Sequence, residues 1–132
     1  MADSFNFELV SPERLLLSAA VNEVILPATD GEMTVMAQHA PVMTTIKPGI
    51  VEVREADGGS NRYVVFGGFA DILPDGCTLL AESAVHVDDI DHEALAQRIQ
   101  DTKEDLQDAT SDADKTRFAE RLDHLTTLQN AV

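Results

Sequence analysis

The chain has 132 residues, 44% of them hydrophobic, with 24 acidic against 9 basic side chains and a formal charge of −15. That length holds one modest domain and an appendage, and the hydrophobic share argues against wholesale disorder. A surface this acidic is repelled by the phosphates of nucleic acid and by anionic lipid, which leaves a basic or locally apolar partner surface.

In chain order, Met1 to Glu8 shows no secretory pattern. No apolar stretch approaches the roughly 20 residues of a spanning helix. Cys77, the only cysteine, permits no internal disulfide and fits a reducing compartment. The expectation is therefore a soluble cytoplasmic protein. Phe5, Phe7 and Leu9 alternate with Asn6 and Glu8, which places apolar side chains on one face of a strand. Val24-Ile25-Leu26 precedes the turn signal Pro27-Ala28-Thr29-Asp30-Gly31, and Met33 to Met36 follows it. Lys47-Pro48-Gly49 predicts a tight turn into Ile50 to Arg54. Asp57-Gly58-Gly59 supplies positive-φ positions for a hairpin into Arg62 to Phe66. Gly67-Gly68 permits a bulge or a close backbone approach before Phe69 to Leu73. Pro74-Asp75-Gly76 turns into Cys77 to Ala81. Short strands without intervening helices indicate an antiparallel sandwich or barrel.

After Ala84 the period changes. Asp91 is placed to cap a helix, with Glu93 in its first turn, and Leu95, Ile99, Thr102 and Leu106 make a narrow apolar stripe. Ala109 to Asp112 breaks the pattern, with Ser111 and Asp114 spaced as a capping pair, before a second stripe at Phe118, Leu122, Leu125 and Leu128. So short a break folds two helices back on each other. The expected class is α+β: an N-terminal antiparallel β-sandwich over residues 1–87, then a C-terminal two-helix antiparallel hairpin over residues 88–132.

The chemistry-bearing residues do not converge. His39, His86, His92 and His124 form no H-E-x-x-H pair and meet no cysteine pair. His92 among Asp88, Asp89 and Asp91 reads as an acidic helix start. There is no nucleophile elbow and no phosphate loop, and Cys77 has no activating base nearby and fits a buried strand position. We therefore expect no catalytic residue, no cofactor and no metal, and a non-catalytic adaptor that binds other subunits of an assembly. Two readings compete with it: a nucleotide sensor in the hairpin, and a small β-sandwich enzyme. The latter needs convergent acid, base or metal ligands that the strands do not offer.

Three segments carry a resemblance. Gly31-Glu32-Met33-Thr34-Val35-Met36-Ala37-Gln38-His39-Ala40-Pro41-Val42-Met43-Thr44-Thr45-Ile46-Lys47-Pro48-Gly49 resembles G-E-L-G-I-x-P-G-H-A-P-L-x-T-x-x-K-P-G of the epsilon subunit of F-type ATP synthases, called delta in mitochondria. Phe66 to Ile72 is similar to that family's S-G-G-F-x-E-V, and Leu79 to Ala84 to its V-x-x-L-A-D/E-x-A. The resemblance implies a ten-stranded β-sandwich beside the gamma subunit and on the ring of c-subunits. It implies a central-stalk rotor subunit coupling proton flow to ATP synthesis, peripheral to the cytoplasmic face of a bacterial inner membrane. Carried over residue by residue, it puts Glu32 in the turn facing the polar loops of the ring. It puts Ser11 and His39-Ala40-Pro41 at or near the contacts with gamma and the ring.

Two departures matter. The family's P-G before H-A-P is Ala37-Gln38 here, which removes a φ restriction and a flexible position and predicts a different local backbone path. ATP-binding members carry I-D-x-x-R-A at the start of the first helix, where this protein has Ile90-Asp91-His92-Glu93-Ala94-Leu95; Arg98 follows one turn later among acidic residues. From Asp88 onward there are 12 acidic and 5 basic residues, a net of −7. The resemblance implies that in inhibiting members a basic hairpin extends along gamma into the acidic base of the alpha/beta catalytic head; here such insertion is expected to be weak, leaving the hairpin a poor inhibitor folded on the sandwich.

Overall fold

The computed structural model describes residues 4–29 and 31–132. Met1 to Asp3 of the expected leaderless start, and Asp30 of the expected turn, lie outside them. Seven strands come first: β1 (Phe5–Val10), β2 (Leu15–Ala28), β3 (Gly31–Met36), β4 (Val42–Glu55), β5 (Ser60–Leu73), β6 (Gly76–Ala81) and β7 (Ala84–His86). A 3-10 turn (Val87–Asp89) leads to the helices α1 (His92–Asp108) and α2 (Asp112–Ala131). The chain divides into two compact units, Met1–Asp88 and Asp89–Val132.

The strands pair in the order β1-β6-β5-β4-β2-β3, with β7 on β5, and a further β1–β2 pairing closes the path. All pairs are antiparallel except β1–β6, which is parallel. The three long strands, of 14 residues each, follow one rule. In β2, Ala19 and Val21 face the core, but so do Val24 and Leu26. In β4, Ile46 faces it and so do Val51 and Val53; in β5, Tyr63 and Val65 do, and then Ala70 and Ile72. Odd positions give way to even ones, or the reverse, partway along each strand. Strand side chains alternate strictly, so each change of phase needs a local irregularity. With it, one strand presents apolar residues to the same core from both layers of a sandwich.

Those irregularities explain where the sequence reading fails. Lys47-Pro48-Gly49 is not a tight turn; it is the corner inside β4, paired with β5 on both sides of Lys47 (Ile46 opposite Gly68, Pro48 opposite Phe66, Gly49 opposite Val65). Both strands change phase together, so their ladder survives the bend. A Cβ on Gly49 would stand 2.8 Å from Pro27 Cβ, so the corner packs directly against β2. Gly67 and Gly68 are the corner of β5, at φ 112° and 135°. Of the two alternatives for this pair, the close approach is realised: a Cβ on Gly68 would lie 2.1 Å from the Leu80 carbonyl oxygen. Val24-Ile25-Leu26 proves to be the second half of β2, whose first half from Leu15 carries little alternation to read. Pro27 and Ala28 belong to that strand and not to the turn. In the β4–β5 hairpin only Gly58 takes a positive φ, 97°, and the Asp57 carboxylate accepts the Gly59 N–H at 2.8 Å.

In the second unit, Asp91 caps α1, its Oδ1 accepting the N–H groups of Glu93 (3.0 Å) and Ala94 (3.1 Å). Ser111 Oγ accepts the Asp114 N–H at 3.1 Å at the start of α2. The helices pack on each other. Leu95, Ile99 and Thr102 of α1 and Leu125 and Leu128 of α2 are buried, whereas Leu106, Phe118 and Leu122 are half-buried. The Thr102 hydroxyl donates to the Arg98 carbonyl at 2.8 Å, which removes the cost of burying it.

Candidate partner-binding surface

Ser11 begins the β1–β2 connection. Its N–H donates to the Arg14 carbonyl at 2.9 Å and the Arg14 N–H donates back at 3.3 Å, so a four-residue turn holds Ser11 and Arg14 in fixed register. Ser11 to Arg14 share a shallow cleft with Glu82, Ser83 and Ala84. Glu32 lies exposed on β3, opposite Pro27 of β2. Thr29, two residues beyond Pro27, donates its N–H and its hydroxyl to the Thr45 carbonyl, both at 3.0 Å.

His39-Ala40-Pro41 belongs to the β3–β4 loop, and Ala40 and Pro41 are exposed. His39 Nδ1 is 2.7 Å from the Ala40 carbonyl, so in the neutral ring the proton sits on Nδ1. Gln38 before it has φ 67° and donates its N–H to the Pro74 carbonyl at 2.8 Å. Gln38 adopts the left-handed conformation that glycine takes freely, held there by the β5–β6 turn.

The structure does not bring the five predicted residues into one patch. Along β1, Asn6 lies opposite Gly76 and Val10 opposite Leu80. Ser11 and the Pro74-anchored loop are thus at opposite ends of that strand, about 17 Å apart at 3.3 Å per residue. Glu32 and His39 are likewise at opposite ends of β3.

An apolar row that sequence reasoning missed joins Ser11 to the Thr29 region. Leu15 pairs with Val10, Val10 with Leu80, Leu80 with Phe69 and Phe69 with Thr45. These residues cross five strands, a span of about 19 Å. Leu15 is 55% exposed, Phe69 41% and Leu80 40%, and Met43, on the same side of β4 as Thr45, is 65% exposed. Their strand neighbours Leu9, Leu79 and Ala70 fill the core. The signal was present as consecutive apolar pairs, Leu79-Leu80 and Phe69-Ala70, where a half-solvated strand would alternate. A second exposed apolar group, Met36, Val42 and Leu73, comes from the strand ends that flank the His39 loop and the β5–β6 turn.

Among the described residues no group of three His, Cys, Asp or Glu could hold a metal ion. Cys77 is buried on β6, and its thiol is pushed up to about 12 by desolvation and then by the charge of Asp71. Burial, and secondarily Glu55, raises the Tyr63 hydroxyl as well. Ala94, at the position of the family arginine, spends its N–H on the Asp91 cap. No helix of the described residues is long and apolar enough to cross a membrane.

Two known families match successive stretches of the sequence. The family described as "ATP synthase, Delta/Epsilon chain, beta-sandwich domain" matches residues 4–87, and the family of the C-terminal domain of the ATP synthase epsilon chain matches residues 91–132. The ATP synthase epsilon chain of Mesorhizobium japonicum is 62% identical over 132 residues, covering 100% of this protein and 98% of the relative. That of Rhizobium meliloti is also 62% identical, with the same coverage. Among solved structures, a subunit of the Euglena gracilis mitochondrial ATP synthase (OSCP/F1/c-ring) superposes with a TM-score of 0.77 at 26% identity, covering 97% of this protein and 81% of that one. A subunit of the Tetrahymena thermophila mitochondrial ATP synthase central stalk and c-ring shares the fold, with a TM-score of 0.71 at 15% identity, covering 98% of this protein and 96% of that one. With family matches over both units and relatives of this identity along its full length, the chain belongs to the ATP synthase epsilon-chain family.

Proposed function

We propose that the protein is a non-catalytic central-stalk subunit of a proton-translocating F-type ATP synthase, binding gamma and the c-ring and turning with them. The observation that carries this reading is the 62% identity over all 132 residues to a protein named ATP synthase epsilon chain. In it, the Leu15-Val10-Leu80-Phe69 row and the Met36-Val42-Leu73 group are two separate apolar contacts. Glu32 and Ser11 flank the first, and His39-Ala40-Pro41 lies at the second. Two contacts at different ends suit a subunit held between a shaft and a ring. The complex then keeps the protein peripheral to the cytoplasmic face of a bacterial inner membrane. No cofactor takes part.

The hairpin, with its net charge of −7 from Asp88 onward, is repelled by an acidic surface of the alpha/beta head and inhibits ATP hydrolysis weakly. Deleting residues 90–132 is expected to change the ATPase rate of the complete enzyme less than about twofold, about 0.4 kcal/mol in barrier height; a many-fold rise overturns this part of the reading.

The subunit assignment is tested by gel filtration with a gamma-containing catalytic head. One-to-one co-elution is expected. Elution of the folded protein alone at low salt would refute it. Phe69→Ala is expected to weaken the complex by about tenfold or more, as truncating a central aromatic anchor does, and to leave the fold intact because the ring is exposed.

A further inference from the structure

His86 is a titratable group that the stalk reading does not use, and both of its ring nitrogens are engaged. Nε2 lies 3.1 Å from Asn61 Oδ1, and Nδ1 accepts the Asp88 N–H at 3.1 Å. An Nδ1 that accepts carries no proton, so the ring is the neutral Nε2–H tautomer and donates to Asn61. The ring also stands edge-on to Tyr63, centroids 5.1 Å apart at 78°. His86 is the last residue of β7, and Asp88 is the last residue of the first compact unit. The family matches leave residues 88–90 between them. The ring therefore grips the backbone at the point where the polypeptide leaves the sandwich.

We propose that His86 is a proton-operated latch on this junction: neutral, it holds the Val87–Asp89 turn closed; protonated, it releases it. A proton on Nδ1 sets donor against donor at the Asp88 amide, so that hydrogen bond is lost. The remaining partner is the Asp88 carboxylate, whose Oδ2 is 3.6 Å from Nδ1. That side chain is 84% exposed, and a pair so open to solvent holds little. The groups facing the ring are Asn61 and Tyr63 from β5 and Asp88 from the 3-10 turn; Glu55 of β4 acts on Tyr63. Protonation thus trades an ordered backbone contact for a loose side-chain one. The latch does not depend on the stalk assignment, because it operates in the isolated full-length protein.

The test is nuclear magnetic resonance of the full-length protein between about pH 8 and pH 5. At the upper end the His86 ring nitrogens should show the Nε2–H tautomer and the Asp88 amide should be protected. As the imidazole titrates, the Asp88 protection factor is expected to fall about fivefold, the effect of losing one hydrogen bond. His86→Gln offers an acceptor and a donor that do not titrate, so it should keep Asp88 protected across the whole range. Asp88→Asn, which keeps the amide and removes the carboxylate, should move the loss of protection to lower pH. Constant protection in the wild-type protein, or the same loss in His86→Gln, overturns the latch.

Discussion

Gln38 and Gly68 both occupy demanding backbone positions in the sandwich, and they meet the demand in opposite ways. Gly68 needs the absence of a side chain, because its missing Cβ would collide with the Leu80 carbonyl. Gly68→Ala is expected to destabilise the protein by about 3 kcal/mol, measured by urea unfolding, since backbone, not a flexible side chain, must give way. Gln38 carries a side chain where glycine is the easier choice, at φ 67°. Gln38→Gly relieves about 1 kcal/mol of left-handed strain and returns part of it as unfolded-state entropy. The expected result is a small rise in the denaturant midpoint with no change in the Pro74 contact. Cys77 has a different sensitivity. Its folded-state thiol is raised from 9.0 to about 12, so the fold prefers the protonated form. That contribution is complete below pH 9 and is lost as pH climbs toward about 12, at about 1.4 kcal/mol per unit. Tyr63 shifts in the same direction. Thermal melts across that window should fall steeply, and less steeply in Cys77→Ala.

Elements with their own local chemistry were readable from sequence, and those defined by long-range geometry were not. Asp91 and Ser111 act as the caps their spacing announces, and the stripe at Leu95, Ile99 and Thr102 is the buried face of α1. Phe5, Phe7 and Leu9 face the core as their alternation requires. By contrast, Lys47-Pro48-Gly49 has the composition of a turn, yet β5 pairs with it on both sides of the corner. Only the tertiary ladder distinguishes a bend within a strand from a break between two. The apolar row escaped notice for the same reason: its members are neighbours across strands, and register is invisible in a linear sequence. The caps make a prediction at this scale. Asp91→Ala removes the acceptor for two N–H groups and should cost about 1 kcal/mol, seen as faster amide exchange in α1 with the β-strand amides unchanged. Exchange is also expected to be fastest toward Leu106 and Phe118, where the helix faces are only half-buried.

At the scale of the whole molecule, the negative charge is shared by both units: −6 from Asp89 onward out of −15 leaves −9 for Met1–Asp88. Each unit therefore repels itself, so raising salt is expected to stabilise the fold by screening like charges, with unfolding midpoints rising between about 0.01 and 0.2 M salt. Three strands, β2, β4 and β5, turn corners and serve both layers of the sandwich. In most sandwiches the layers are coupled by side-chain packing and by loops. Here three continuous backbones also run through the wall from one layer into the other. A sideways load on one layer therefore pulls on covalent bonds before it can shear the core, and the sandwich behaves as a welded box. In the proposed stalk role, that stiffness passes torque on without the sandwich being wrung by it.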